Sequence, residues 1–115
     1  ITKTEKILSF DAIFSLDVLE HIPIQFEDIF LISCIKFLEK DGVFIIGSPS
    51  ISSQKFTTEA NKLGHVNCKS EKQMSVFLKK YFVNVFSFGM NDELIHTGFS
   101  EFRNYLFMIC TNPKI

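Results

Sequence analysis

The chain has 115 residues, the size of one domain, and 46% of them are hydrophobic while 22% are charged. This composition favours a folded core and excludes a disordered tail. A net charge of −1 gives no field that would attract nucleic acid or an anionic membrane. No apolar run is long enough to cross a bilayer, so we expect neither a nucleic-acid nor a membrane partner.

The cysteines are three in number and far apart in the sequence: Cys34, Cys68 and Cys110. No pair of them has the spacing of a disulfide framework or a structural zinc site, so we expect a reducing, cytoplasmic setting. Residues 1–6 do not include an initiator Met and lead directly into an apolar strand. We therefore expect the chain to be the interior of a longer gene product.

The first half of the chain predicts a strand, a helix, a second strand and a long loop. Residues 8–16 are almost continuously apolar, as in a parallel strand that is covered on both faces. Residues 26–40 predict a helix that Asp41-Gly42 ends, and residues 43–46 predict a strand closed by Gly47-Ser48-Pro49-Ser50. Residues 51–69 are polar and too long for a simple connection, which favours a binding loop or lid.

The second half begins with a capping box, Ser70-Glu71-Lys72-Gln73, which predicts the start of a helix with one apolar face. Residues 82–88 alternate as a third strand, residues 89–100 are a polar loop, and residues 105–110 form a fourth strand. This order predicts an α/β fold in which crossover helices join three parallel strands, and a final strand runs antiparallel.

One stretch passes from an apolar strand, which begins Phe10-Asp11, into the turn Leu19-Glu20-His21. It resembles the fourth strand and following turn of class I S-adenosylmethionine-dependent methyltransferases. Three later runs, residues 47–55, 64–69 and 90–99, resemble a subgroup of these enzymes that is associated with sugar and surface-polysaccharide pathways. Together these motifs cover essentially the whole chain.

The resemblance implies the second half of a Rossmann-like methyltransferase sheet, in which a reversed seventh strand lies between the fifth and the sixth. The family's glycine-rich cofactor loop precedes this region, and the 5 Gly residues of the chain form no G-x-G pattern. We therefore expect residues 1–115 to be one partial domain that is inactive alone. The longer protein would methylate a small, sugar-containing acceptor.

Candidate site residues lie in the segments that follow the predicted parallel strands, because open α/β sheets bind ligands at that edge. The resemblance places Ser15, Leu16 and Asp17 against S-adenosylmethionine. Histidine exchanges protons near neutral pH, so His65 and His96 are the candidate general bases for a hydroxyl acceptor. The candidates for substrate binding are His21, Gln54, Asn67, Asp92 and Glu93.

Several alternatives stay open. Glu20 and His21 could anchor the turn, position the substrate or ligate a metal, and anchoring is the favoured role. His65 and Cys68 have a spacing found in metal sites, but no further ligands follow at matching spacing, so no metal site is predicted. The alternative function is a non-catalytic methyltransferase-like module that pairs with another chain, such as a second copy, through its open sheet edge. A nicotinamide-dependent oxidoreductase would need a dinucleotide fingerprint, which the sequence does not contain.

Overall fold

A computed structural model describes residues 8–91 and 94–115. Within these residues, one sheet is built from β1 (Phe10–Leu16), β2 (Leu38–Pro49), β3 (Phe82–Asn91), β4 (Leu94–His96) and β5 (Tyr105–Pro113). The α-helices of this part are α1 (Glu27–Lys36), α2 (Glu59–Gly64) and α3 (Glu71–Lys79). Short 3-10 turns cover Leu19–His21, Ile24–Phe26, Ile51–Phe56 and Ser100–Phe102. None of the helices described has the length and hydropathy of a membrane span.

The sheet is mixed, with the strand order β1-β2-β5-β3-β4. Among the described strands only β1 and β2 pair in parallel, while β5 runs antiparallel to both β2 and β3, and β4 antiparallel to β3. The α/β class is confirmed, but the predicted set of three parallel strands is wrong. β2 and β3 point the same way, yet β5 occupies the gap between them and takes their backbone hydrogen bonds.

Two predicted element boundaries are also corrected. Residues 94–96, expected within a polar loop, form β4 on the outer edge of β3. The helix predicted up to Lys40 ends at Lys36, and the Asp41-Gly42 pair lies inside β2 rather than at a helix end. The β1–β2 register shifts beside this pair, and a Cβ at Gly42 would lie 2.6 Å from Leu38 Cδ1. The glycine therefore marks an irregularity in a strand, which is a common role for glycine there.

The capping box at the start of α3 is confirmed. Ser70 Oγ accepts a hydrogen bond from the backbone N–H of Gln73 (3.1 Å), and Gln73 Oε1 accepts one from the backbone N–H of Ser70 (2.9 Å). Met74, Phe77 and Leu78 on the helix are buried, so the one-faced apolar pattern is confirmed as well.

The helices α1 and α3 pack against one face of the sheet and form the core with it. Strand residues alternate between the faces, and on the other face Phe14, Ile45, Ile109 and Phe86 are register partners across four adjacent strands. Phe14 is 73% exposed and Phe86 52% exposed. The prediction that β1 is covered on both faces is thus wrong for the described residues, which form two layers. The core contains Leu31, Ile35, Phe44, Ile46, Met74, Phe77, Leu78, Leu106 and Met108.

Candidate functional site

The carboxyl end of β1 turns sharply at Asp17. This residue adopts the left-handed conformation with φ 60°, which aspartate tolerates better than most residues. Its backbone N–H donates to the carbonyl oxygen of Gly47 (3.1 Å), so the turn is fixed to the end of β2. The turn therefore leaves Leu16 and Asp17 at the sheet edge where the parallel strands end.

A cavity of about 610 Å³, here called the β1 groove, opens at this edge. Because β5 runs antiparallel to its neighbours, its first residue, Tyr105, lies at the same edge as the carboxyl ends of β1 and β2. The groove combines apolar walls with an acid, an amide and a phenol. It is lined by Leu16, Asp17, Met90, Ile95, Asn104, Tyr105 and Phe107.

Tyr105 connects the two sides of the β1 groove. Its hydroxyl lies beside Asp17, and burial, followed by this carboxylate, raises the pKa of the Tyr105 phenol well above its usual value. The phenol therefore stays neutral even at alkaline pH. The ring lies directly over Gly47, where a Cβ would come within 2.5 Å of the hydroxyl oxygen.

Ser15 differs from its two neighbours among the predicted cofactor residues. Its side chain is buried, and among the described residues Ser15 Oγ has no hydrogen-bond partner. Ser15 pairs with the core residue Ile46 in the sheet, so it lies on the helix-covered face. Leu16 and Asp17 line the groove, and Ser15 does not appear in its wall.

The segment that follows β2, residues 51–69, is called the crossover loop. It contains a 3-10 turn and α2, and it encloses a second cavity of about 460 Å³, the loop cavity, lined in part by Gln54 and His65. His65 Nδ1 lies 2.9 Å from Gln54 Oε1. Asn104 lines both the loop cavity and the β1 groove, so the two cavities are adjacent.

A buried ion pair fixes the end of the crossover loop to α1. Lys69 Nζ lies 2.9 Å from Glu27 Oε1, and Asn67 Nδ2 donates to the same oxygen (3.0 Å). Asn67 is only 3% exposed. Asn67, predicted to bind substrate, is thus placed in the interior as an anchor of the loop rather than in either cavity.

Glu20 and His21 contact the crossover loop from the β1 side. The backbone oxygen of Glu20 accepts hydrogen bonds from the N–H groups of Val66 (2.9 Å) and Asn67 (3.0 Å). His21 Nδ1 lies 2.9 Å from the carbonyl oxygen of Gly64. The side chain of His21 also contacts the His65 ring edge-on, at 5.0 Å between centroids. The structure therefore brings His21, Gln54 and His65 together.

His96 lies apart from this group, on β4. Its Nδ1 accepts a hydrogen bond from the backbone N–H of Gly98 (3.1 Å), and its Nε2 lies 3.2 Å from Asn91 Nδ2. These contacts hold the ring within the edge hairpin, so the structure does not join the two predicted bases. Asp92 and Glu93 lie outside the described residues.

Asn104 and Tyr105 are two polar cavity residues that the sequence interpretation missed. Both precede or begin a strand and resemble ordinary core or loop residues in the sequence. A signal was nevertheless available, because the first residues of an antiparallel strand lie beside the carboxyl ends of its neighbours. Once a reversed final strand is predicted, its first residues are candidates for the site.

No protein-family model matches the chain, and no curated protein matches it with significant similarity. Its function must therefore be argued from the motifs and from the geometry of the two cavities.

Proposed function

We propose that this chain forms the carboxyl-terminal half of a class I S-adenosylmethionine-dependent methyltransferase domain that acts on a small, sugar-containing acceptor. The observation that carries the proposal is the β1 groove. It opens at the strand edge where open α/β sheets bind ligands, and it is lined by Leu16 and Asp17, where the resemblance puts the cofactor. Its apolar walls and its Asp17–Tyr105 pair suit a ligand with an apolar and a polar part.

The strand arrangement supports the same proposal. β5 runs in reverse between β2 and β3, as the seventh strand does between the fifth and sixth strands of the resembled family. The α/β class alone would be weak support, because one fold carries many activities. The proposal is better supported because this strand order occurs together with the motifs at the ends of β1 and β2.

The loop cavity is the proposed acceptor site. It borders the β1 groove at Asn104 and presents the Gln54 amide and the His65 imidazole. S-adenosylmethionine supplies an electrophilic methyl group, and the protein aligns the acceptor for in-line displacement. In the proposal His65 accepts the proton of an acceptor hydroxyl, and Gln54 fixes the orientation of its ring. Polar side chains predominate among its lining residues, which include Ser53, Thr57 and Asn61, and this suits a sugar better than a large apolar substrate.

The test is calorimetric titration of S-adenosylhomocysteine into the complete gene product that contains this chain. We expect binding by the wild type and at least 10-fold weaker binding by Leu16→Arg, because the new side chain would fill the groove. Val18→Arg is the matched control, since Val18 is 40% exposed and Leu16 44% exposed, but Val18 is not part of the groove wall.

Two results would contradict the proposal. One is the absence of S-adenosylhomocysteine binding by the complete gene product. The other is an equal loss of affinity in Leu16→Arg and Val18→Arg, which would separate binding from the β1 groove. We expect the 115-residue chain alone not to bind, because it contains no glycine-rich cofactor loop.

The second candidate function is a non-catalytic module that pairs with a second copy through β1. Two observations favour it: β1 is at one end of the strand order, and Phe14 on it is 73% exposed on the sheet face that the helices leave uncovered. Sedimentation velocity over a range of concentrations tests it. Dimers that Phe14→Ser abolishes, and that Leu63→Ser on α2 leaves intact, would support the module; a monomer at every concentration would exclude it.

A further inference from the structure

Three side chains from two separate segments meet beside the loop cavity. Glu20, His21 and His65 each offer one ligand atom, and these atoms all lie within 4.8 Å of one another. His21 Nε2 is 3.8 Å from Glu20 Oε2. Two imidazoles and one carboxylate are a ligand set that Zn²⁺ and similar divalent cations accept, and that Mg²⁺ and Ca²⁺ do not prefer.

Each of the two histidines has a second contact of the kind that metal-binding histidines make. His21 Nδ1 faces the carbonyl oxygen of Gly64, and His65 Nδ1 faces Gln54 Oε1, both at 2.9 Å. A carbonyl oxygen only accepts hydrogen bonds, so each Nδ1 carries the proton and each Nε2 carries the lone pair. Metal-binding histidines almost always have this second contact, which fixes the tautomer and the ring.

The carboxylate is also held in place before any ligand arrives. Glu20 is 1% exposed, and its Oε1 accepts a hydrogen bond from Ser48 Oγ (3.3 Å). Among the described residues, the cationic side chain within ion-pair distance of Glu20 is His21, which is charged only when protonated. A buried carboxylate is costly without a compensating charge, and a bound cation would supply one.

We propose that Glu20, His21 and His65 bind a Zn²⁺-type divalent cation, contrary to the expectation from the sequence that no metal site is present. At metal–ligand distances of about 2.0–2.1 Å the ligand atoms would move to about 3.4 Å from one another. Side-chain rotations are enough for this, because the backbone N–H groups of Val66 and Asn67 donate to the carbonyl oxygen of Glu20 and already hold the two segments together. Three protein ligands leave a fourth position for water or an oxygen of a bound ligand.

This inference concerns metal binding and does not depend on methyl transfer, because it is measured without cofactor or acceptor. The two proposals meet at His65. They assign His65 alternative roles: a bound cation would occupy its lone pair, so the role of His65 as base applies to the metal-free chain only.

The experiment titrates Zn²⁺ into the chelator-treated 115-residue chain in competition with a chromogenic chelator. We expect one Zn²⁺ per chain and at least 10-fold weaker binding by His21→Ala and by His65→Ala. Gln54→Leu removes the contact that fixes His65, and we expect it to weaken binding about 10- to 100-fold. His96→Ala is the matched control, since His96 lies in the β4 hairpin, and we expect it to bind as the wild type does.

Cys68 lies near the site: burial, and then the charge of Glu20, raise the pKa of its thiol. A thiol beside the site is a competing ligand for Zn²⁺, so Cys68→Ser is a further control. We expect Cys68→Ser to bind Zn²⁺ like the wild type. Loss of binding in Cys68→Ser, no binding by the wild type, or full binding by both His21→Ala and His65→Ala would overturn the proposal. Glu20→Gln gives a readout independent of the competitor: Zn²⁺ should raise the melting temperature of the wild type and not that of Glu20→Gln.

Discussion

Gly47 determines where Tyr105 can lie. A Cβ at this position would be 2.5 Å from the Tyr105 hydroxyl oxygen and 2.6 Å from Cε2. We expect Gly47→Ala to displace the ring from the β1 groove and to lower the free energy of unfolding by about 1–3 kcal/mol. Urea denaturation measures this difference.

Gly64→Ala is the control for this substitution. A Cβ at Gly64 would have ordinary contacts with His21, the nearest atom at 3.6 Å, and no described glycine has a positive φ. We expect Gly64→Ala to unfold at nearly the wild-type urea concentration. Equal midpoints for the two variants would show that the Tyr105 ring does not depend on Gly47.

The two histidines proposed as bases should differ in their effect on turnover. Substitution of a general base typically costs 10²–10⁴-fold in rate, and we expect a loss of about this size in kcat for His65→Gln, which faces the loop cavity. His96→Gln should cost less, because contacts with Asn91 and Gly98 hold that ring in the hairpin. Steady-state kinetics of the complete gene product, assayed for the proposed methyl transfer, would test this. Unchanged kcat in both variants would exclude a histidine base.

At the residue scale, the sequence identified the segment that forms the site, but not which of its side chains face the cavity. The motif after β1 pointed to residues 15–17, and two of these line the groove. Ser15 does not, because strand alternation turns it toward the helices. Asn67 carries a polar amide, as a substrate ligand would, but its partner Glu27 is 40 residues away in the chain. Such a contact depends on the tertiary fold and leaves no local signal.

At the scale of elements, the Glu27–Lys69 pair connects α1 to the crossover loop. The side chains are 8% and 10% exposed, so removal of the lysine would leave a buried carboxylate without its charge partner. We expect Lys69→Met to lower the free energy of unfolding by about 3–5 kcal/mol. Lys80→Met is the control, because the Lys80–Asp28 pair is 51% and 48% exposed, and such pairs contribute about 0–1 kcal/mol. Similar losses in both variants would contradict the assignment of Glu27–Lys69 as the buried anchor.

Prediction of elements succeeded where the signal is local. The capping box involves residues within one turn of helix, so the start of α3 was predicted correctly from the sequence alone. The end of α1 was not, because Asp41-Gly42 is also compatible with a strand irregularity. The contacts of Leu38 favour the strand over a longer helix. Leu38 is buried in the core and pairs with Phe10, so β2 already begins at Leu38.

At the scale of the whole molecule, stability should decrease at alkaline pH. Burial, and then the hydrogen bond to Asp28, raise the pKa of Tyr81 to about 12, and the pKa of Tyr105 is raised further. Both phenols ionise near pH 10 in the unfolded chain, so the folded state binds more protons above that pH. Their contribution to stability is complete below pH 10 and is lost as the pH rises toward 12.

The phenolate absorbance of the folded chain measures this directly, because the sequence has 2 Tyr and no Trp. We expect almost no phenolate at pH 10 in the native protein and about half ionisation of both tyrosines in urea. Tyr81→Phe leaves Tyr105 as the remaining tyrosine, so its titration curve shows which part of the wild-type absorbance belongs to Tyr105. Half ionisation of the native protein at pH 10 would contradict the raised pKa of both phenols.

The sequence predicted the α/β class but not the layers. A continuous apolar strand such as β1 has the same sequence signature whether helices cover one face or two. In the described residues the helices cover one face only, and Phe14, Ile45, Ile109 and Phe86 form an apolar row on the other. Residue patterns alone left the strand order open, because a final reversed strand can lie at an edge or between two earlier strands. The family resemblance predicted the inserted position, and β5 does lie between β2 and β3.

The crossover loop begins and ends at the same point of the fold. Ser50 forms a bridge with Lys69, and the backbone N–H of Ile51 donates to the carbonyl oxygen of Lys69 (2.9 Å). The structure of the sheet therefore does not depend on how many residues lie between these two positions. The entropic cost of a longer loop also grows only slowly with its length. Evolution can lengthen, shorten or exchange residues 52–66 as a unit, and an engineer could graft another loop there to change what the neighbouring cavity accepts.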